Sequence, residues 1–152
     1  MAKIRIYLDN CAYNRPFDDQ EQIKIFLEAE AKKHIQRLIV GKKIDLAYSF
    51  INRFENSKNP NFSNKNAINS FFSNAVLYID HTHAVSVGSR AIGIMNSGIK
   101  TRDAYHISSV IESGCDYLIT TDKAILNFKT GEIIICDPIM FLNYYNEEQE
   151  NE

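Results

Sequence analysis

No apolar run in the chain is long enough to cross a bilayer, so no membrane association is expected. The layout of a secretory signal peptide is missing too. Asp9 interrupts the only early apolar stretch, and a cytoplasmic location is the expectation. Cysteine is sparse: Cys11, Cys115 and Cys136 are widely separated and form no CxxC pair, which fits reduced core residues rather than metal ligands. Cys11 has no His close by in sequence and reads as a small packing residue, not a nucleophile. The chain has no GxxxxGK[ST] loop, which excludes a P-loop nucleotide triphosphatase. It has no internal repeat, linker or low-complexity tract, and no basic residue follows Lys129.

What is present suits one packed domain: 152 residues, 45% of them hydrophobic. The formal charge of −2 argues at first against a nucleic-acid binder. Four of the acids, however, are Glu147, Glu148, Glu150 and Glu152; without them the −2 becomes +2 for residues 1–146. We therefore expect a single domain over residues 1–146, an acidic, disordered tail over residues 147–152, and a surface that tolerates phosphate.

Strands and helices alternate. Lys3–Leu8 reads as a strand, Asn10–Asp18 as a loop, and Asp19–Val40 as a long helix with Ile23, Phe26, Leu27, Ala31, Ile35 and Leu38 on its apolar stripe and Gly41 as its stop. Ile44–Tyr48 is a second strand, followed by a short helix capped by Ser49 and carrying Phe50, Ile51, Phe54 and Glu55. After the Asn59-Pro60 break come a helix over Ser63–Ala75, a strand over Val76–Ile79 and a helix over His83–Asn96. Thr101–Asp122 then packs an acid, a helix, a glycine stop, a strand and a second acid into one block. Last come a strand over Glu132–Cys136 and a helix from Asp137-Pro138 to about Tyr145. Such alternation predicts a three-layer α/β/α sandwich around a central, mainly parallel sheet of four to five strands.

In an open parallel sheet, ligands bind outside the carboxyl ends of the strands. Asp9 ends the first strand, Glu55 lies on the first turns after the second, and Asp122 follows the fourth. Asp103 joins them on length grounds. A helix from Asp103 to Ser113 travels about 16 Å, and a strand from Asp116 to Thr121 returns about 20 Å. Asp116 itself falls at the opposite edge and reads as structural. Four carboxylates on one rim cannot all ionise cheaply, and a hard divalent cation with oxygen ligands removes the repulsion. Two such ions roughly 3.5–4 Å apart suit phosphodiester hydrolysis.

These residues resemble the PIN-domain family, the fold of many metal-dependent ribonucleases and of VapC-type toxins, over nearly the whole chain. The matching segments are IYLDNCAYNRPFDD with Asp9, YSFINRFENSKNP with Glu55, GIKTRDAYHI with Asp103 and YLITTDKAIL with Asp122. The resemblance implies endonucleolytic cleavage of RNA with Mg²⁺ or Mn²⁺ held by those four acids. It also implies hydroxyls at Thr120 and Thr121 that orient the last acid, an antitoxin partner where the protein is a toxin, and pairing as a homodimer. A non-catalytic module of the same fold, binding RNA or protein, is the alternative.

Taken singly, each acid also has a local reading. Asp9 suits a turn with Asn10, Asp103 a helix N-terminus, Glu55 a solvated face, and Asp122 a cap for Lys123–Leu126. Arg15, Arg53 and Arg102 flank the rim and are candidates to grip phosphate, and Asn10 is a candidate donor to substrate or water. His106 reads first as a satisfied interior histidine and second as a hydrogen-bond partner for a site carboxylate. His81 and His83 read as a surface loop rather than a zinc pair.

Overall fold

The computed structural model describes residues 3–151. Five strands form one sheet: β1 (Arg5–Leu8), β2 (Asp45–Ser49), β3 (Leu77–Ile79), β4 (Tyr117–Ile119) and β5 (Ile134–Cys136). All neighbours are parallel, in the order β3-β2-β1-β4-β5. β1 is central, with Ile6 opposite Leu46 on one side and Tyr117 on the other.

The connecting helices are α1 (Asn10–Asn14), α2 (Ile23–Val40), α3 (Phe50–Ser57), α4 (Phe62–Phe71), α5 (Ala84–Met95), α6 (Thr101–Glu112), α7 (Lys123–Leu126) and α8 (Pro138–Glu150). Side chains on a strand alternate between faces, and β1 shows it directly. Ile6 and Leu8 join a core with Ile35 and Ile39 of α2, Ile68 of α4 and Phe141 of α8. Tyr7 points into the other core, with Val87 and Ala91 of α5, Ile107 and Val110 of α6, and Ile125 of α7. The result is a three-layer α/β/α sandwich, its sheet covered on both faces.

The chain runs outward from β1 through β2 to β3, then crosses back to build β4 and β5 on the other side. The strand order therefore reverses between β1 and β4, and a crevice opens there beyond the strand carboxyl ends. Gly114, at φ +67°, turns the chain from α6 into β4; that left-handed conformation is costly for residues with a Cβ.

Three segments differ from the sequence expectations. The expected loop over Asn10–Asp18 is instead α1 followed by a 3₁₀ turn at Arg15–Phe17, because the Asp9 carboxylate accepts the Ala12 amide as an N-cap and Pro16 sits where a first turn tolerates it. The expected stripe of α2 is buried only in its later part: Ala31 and Ile35 are in the core, whereas Ile23, at 77% exposure, and Phe26 and Leu27 face solvent. The buried face of α2 takes Glu28, Ala29 and Lys32 instead, with Arg15 paired to Glu28 and the rings of Tyr13 and Phe71 beneath Lys32. At the other terminus α8 runs on to Glu150, where a disordered tail was expected, and Tyr117 Oη donates to Glu148 Oε1 at 3.2 Å. No helix among the described residues is long and apolar enough to cross a membrane.

Candidate functional site

Asp9 follows β1 and is 2% exposed. Its Oδ1 accepts the Ala12 amide at 2.9 Å, and its Oδ2 accepts the Thr120 hydroxyl. Thr120 Oγ1 in turn accepts the Asp122 amide at 2.9 Å. One buried hydroxyl thus ties the acid after β1 to the acid after β4, across the point where the strand order reverses. Thr120 was expected to orient the last acid; its hydroxyl instead donates to the first, and it holds the last through the backbone. Asp122 is also the N-cap of α7, accepting Ala124 N at 2.8 Å and Ile125 N at 3.3 Å through Oδ1.

Glu55, on α3, accepts a hydrogen bond from His106 of α6, with Nε2–Oε1 at 2.8 Å. The other imidazole nitrogen, Nδ1, lies 2.6 Å from Tyr7 Oη, which lies 2.6 Å from Ser49 Oγ. The direction of this chain follows from counting donors. Ser49 Oγ already accepts two backbone amides, Ile51 N and Asn52 N, as the cap of α3. Its hydroxyl proton therefore goes to Tyr7, the Tyr7 proton goes to Nδ1, and the imidazole carries its proton on Nε2, facing Glu55. The sequence named His106 as a carboxylate partner only as a second reading; Tyr7 and Ser49 were not named as part of the site.

Asp103 lies on the first turn of α6, part-buried, and its side chain forms no hydrogen bond with other described residues. Burial raises its pKa first, and the charges of Asp122 and Glu55 raise it further against His106 and Lys100. Burial likewise lifts Asp9 to about 6, with His106, Thr120 and Ala12 pulling down and Glu55 pushing up. Cys115 and Cys136 are buried as expected, but Cys11 is exposed at the rim rather than in the core. Desolvation and then the charges of Asp9, Asp122, Glu55 and Asp103 push its thiol up to about 12, unfavourable for a thiolate near neutral pH.

Asp122 stands where two clefts meet. One, of about 410 Å³, is lined by Glu55, Thr121, Asp122, Cys11, Asn10 and Arg15 among others. The other, of about 580 Å³, is lined by Lys100, Thr101, Arg102, Asp103, Asp122 and Ala124. Among the described residues, none of the four acids is in an ion pair with Lys or Arg; the only such partner is His106 for Glu55. Also among the described residues, no three His, Cys, Asp or Glu side chains are gathered closely enough to hold a metal ion as they stand.

The remaining candidates fall into two groups. Asn10 is committed internally: its Nδ2 donates to Asn52 O at 3.0 Å and its Oδ1 accepts Asn52 Nδ2 at 2.9 Å. Asn52 also donates to Leu8 O, so it staples α3 to the end of β1 and fixes Glu55 relative to Asp9. The Ser49-x-x-Asn52 spacing is the signal that could have revealed it, since the pair forms a capping box. Arg15 is engaged by Asp18 at 3.1 Å and by the buried Glu28 at 3.3 Å. Arg53 and Arg102 are exposed, over the rings of Tyr78 and Phe54 respectively. Asp116 accepts the Arg5 amide at the opposite edge, and His81 and His83 form an exposed 3₁₀ turn capped by Asp80.

No protein-family model matches the chain, and no curated protein matches it at a significant level.

Proposed function

We propose that the protein is a metal-dependent endoribonuclease of the PIN type. The observation that carries this reading is where the four acids stand: Thr120 ties Asp9, after β1, to Asp122, after β4, and Asp122 lines both the cleft that holds Glu55 and the cleft that holds Asp103. Among the described residues none of the four is in an ion pair with Lys or Arg, the pairing that a purely structural set of acids recruits. The donor set is all oxygen, which fits Mg²⁺ or Mn²⁺ in preference to softer ions. Asp9, Glu55, Asp103 and Asp122 are the residues that would hold such an ion. When bound, it lowers the pKa of a water and screens a phosphodiester.

The chain's own groups do the rest. Thr120 holds Asp9 in one rotamer, and His106 holds Glu55 through a proton on Nε2. Asn52 sets the distance between the two segments that carry these acids. Burial raises the pKa of both Asp9 and Asp103, so protons would compete with a divalent ion at this site more strongly as pH falls.

The test is cleavage of single-stranded RNA by the purified protein with Mn²⁺, and calorimetry with Mn²⁺ alone. The wild type binds the ion and cleaves; Asp122→Asn and Asp103→Asn fold normally and lose more than about 100-fold in rate, consistent with loss of a charge-stabilising group. Absence of Mn²⁺ binding at millimolar concentration supports the non-catalytic module instead. Toxin activity, held off by an antitoxin, adds a partner to the same chemistry. Growth arrest on expression of the wild type but not of Asp122→Asn is its signature.

A further inference from the structure

Beside the acidic crevice lies an exposed ring between two cations. Phe54 is 51% exposed and precedes Glu55 on α3. Lys58, which caps the C-terminal end of α3, places Nζ 5.5 Å from the ring centroid. Arg102, which precedes Asp103 on α6, places Cζ 5.9 Å from it. An exposed aromatic is ordinary by itself. This one precedes Glu55, and its two cations come from segments distant from each other in sequence, the end of α3 for Lys58 and the first turn of α6 for Arg102.

The surroundings separate Phe54 from other rings on the surface. Tyr78 also carries a cation, Arg53 at 5.6 Å, but its face is stacked on Tyr48 at 4.5 Å. Phe54 forms no ring–ring pair among the described residues. Among those residues Lys58, Lys100 and Arg102 also form no ion pair with any carboxylate. Arg102 and Lys100 line the same cleft as Asp103 and Asp122. The cleft carboxylates, the Arg102 guanidinium, the half-exposed Phe54 ring and the Lys58 ammonium thus share one patch of surface.

We propose that Phe54 is the stacking platform for one unpaired nucleobase of the RNA, with Arg102 and Lys58 binding the phosphates beside it; this rests on the reading of the adjacent cleft as a ribonuclease site. An anionic polymer with a flat aromatic unit at each repeat is the ligand that uses a ring and its flanking cations together. A base held on Phe54 sets the register of the strand over Glu55 and Asp103. The platform therefore demands unpaired RNA, since a base inside a duplex offers no free face.

The chain has no tryptophan, so Phe54→Trp installs the one indole at the platform, which can be excited apart from the eight tyrosines. In EDTA, where no cleavage occurs, titration with a single-stranded uridine oligonucleotide should quench it saturably, and added salt should weaken the binding. Phe54→Ala should weaken binding of the same strand roughly 5- to 150-fold, the loss of one base–aromatic stack. Its thermal midpoint should stay unchanged. In Mn²⁺ it should raise KM. Quenching without any Mn²⁺-dependent cleavage keeps the platform and removes the nuclease. Cleavage with no quench, and with Phe54→Ala within twofold of wild type in KM, removes the platform and keeps the nuclease. Equal quenching by a duplex RNA, or by polyglutamate, also overturns the proposal.

Discussion

Asp9→Asn should stabilise the protein above neutral pH, and the structure sets the size of the effect. Asp9 is almost wholly buried, and burial raises its pKa from 3.8 to about 6. A folded-state pKa above the unfolded value means that the native state binds the proton more tightly. Stability from this group is full below about pH 4 and is lost as pH rises through about 6. A shift of about 2 units corresponds to ~3 kcal/mol of destabilisation at pH 8. Asparagine removes the buried charge and keeps the Oδ1 acceptor for the Ala12 amide. Its amide group replaces the oxygen that accepts from Thr120, which costs about 1–2 kcal/mol. The net gain at pH 8 is about 1–2 kcal/mol, or about 2–8 °C in Tm for a chain of this size. Thermal unfolding in EDTA at pH 8, 6 and 4 measures it. The gain should shrink below pH 6 and turn into a loss of about 1 kcal/mol by pH 4, where the missing Thr120 hydrogen bond outweighs the small remaining charge cost. Mn²⁺ should raise the Tm of the wild type at pH 8 and leave that of Asp9→Asn nearly unmoved. Asp9→Asn being less stable than wild type by the same margin at pH 8 and pH 4 would refute the reasoning, because the hydrogen bond would then outweigh the charge.

Two further substitutions test the interior. Lys32 is 4% exposed over the rings of Tyr13 and Phe71, and burial, then Lys33, lowers its pKa to about 7. The depressed value means stability is lost as pH falls from the unfolded pKa toward 7, so Lys32→Met should gain about 2–4 kcal/mol at pH 6. Urea melts should show that advantage fading by pH 11. Ser49→Ala removes the cap of α3 and the proton given to Tyr7. It should cost about 2–3 kcal/mol in the same assay; a loss below ~0.5 kcal/mol would mean that the chain from Ser49 to Glu55 is not coupled as drawn.

The sheet was legible because its signals are local. Short, mostly apolar runs such as Lys3–Leu8 and Ile44–Tyr48, each closed by a polar or turn residue, mark strands wherever they pack. The capping positions were partly legible for the same reason, and Ser49 and Asp122 both cap the helices assigned to them. The start of α2 was not. Its apolar periodicity runs through Ile23, Phe26 and Leu27, but which face of a turn is covered depends on what packs against it, and the covered residues there are Glu28, Ala29 and Lys32. The last helix runs on to Glu150, and its Glu148 accepts the hydroxyl of Tyr117 from β4, a partner 31 positions away that no local pattern names.

The sequence by itself determined which residues stand at strand ends and helix starts, and so which acids were candidates for a common rim. It did so because backbone propensity, capping and side-chain periodicity act over a few residues. Only the tertiary structure decided what each acid touches. Thr120 reaches Asp9 across 111 positions and His106 reaches Glu55 across 51, and neither pairing leaves a periodic trace. The same holds for the open face of Phe54 beside Arg102: a ring is covered or left bare by the packing of two helices, α3 and α6, whose approach no local pattern encodes.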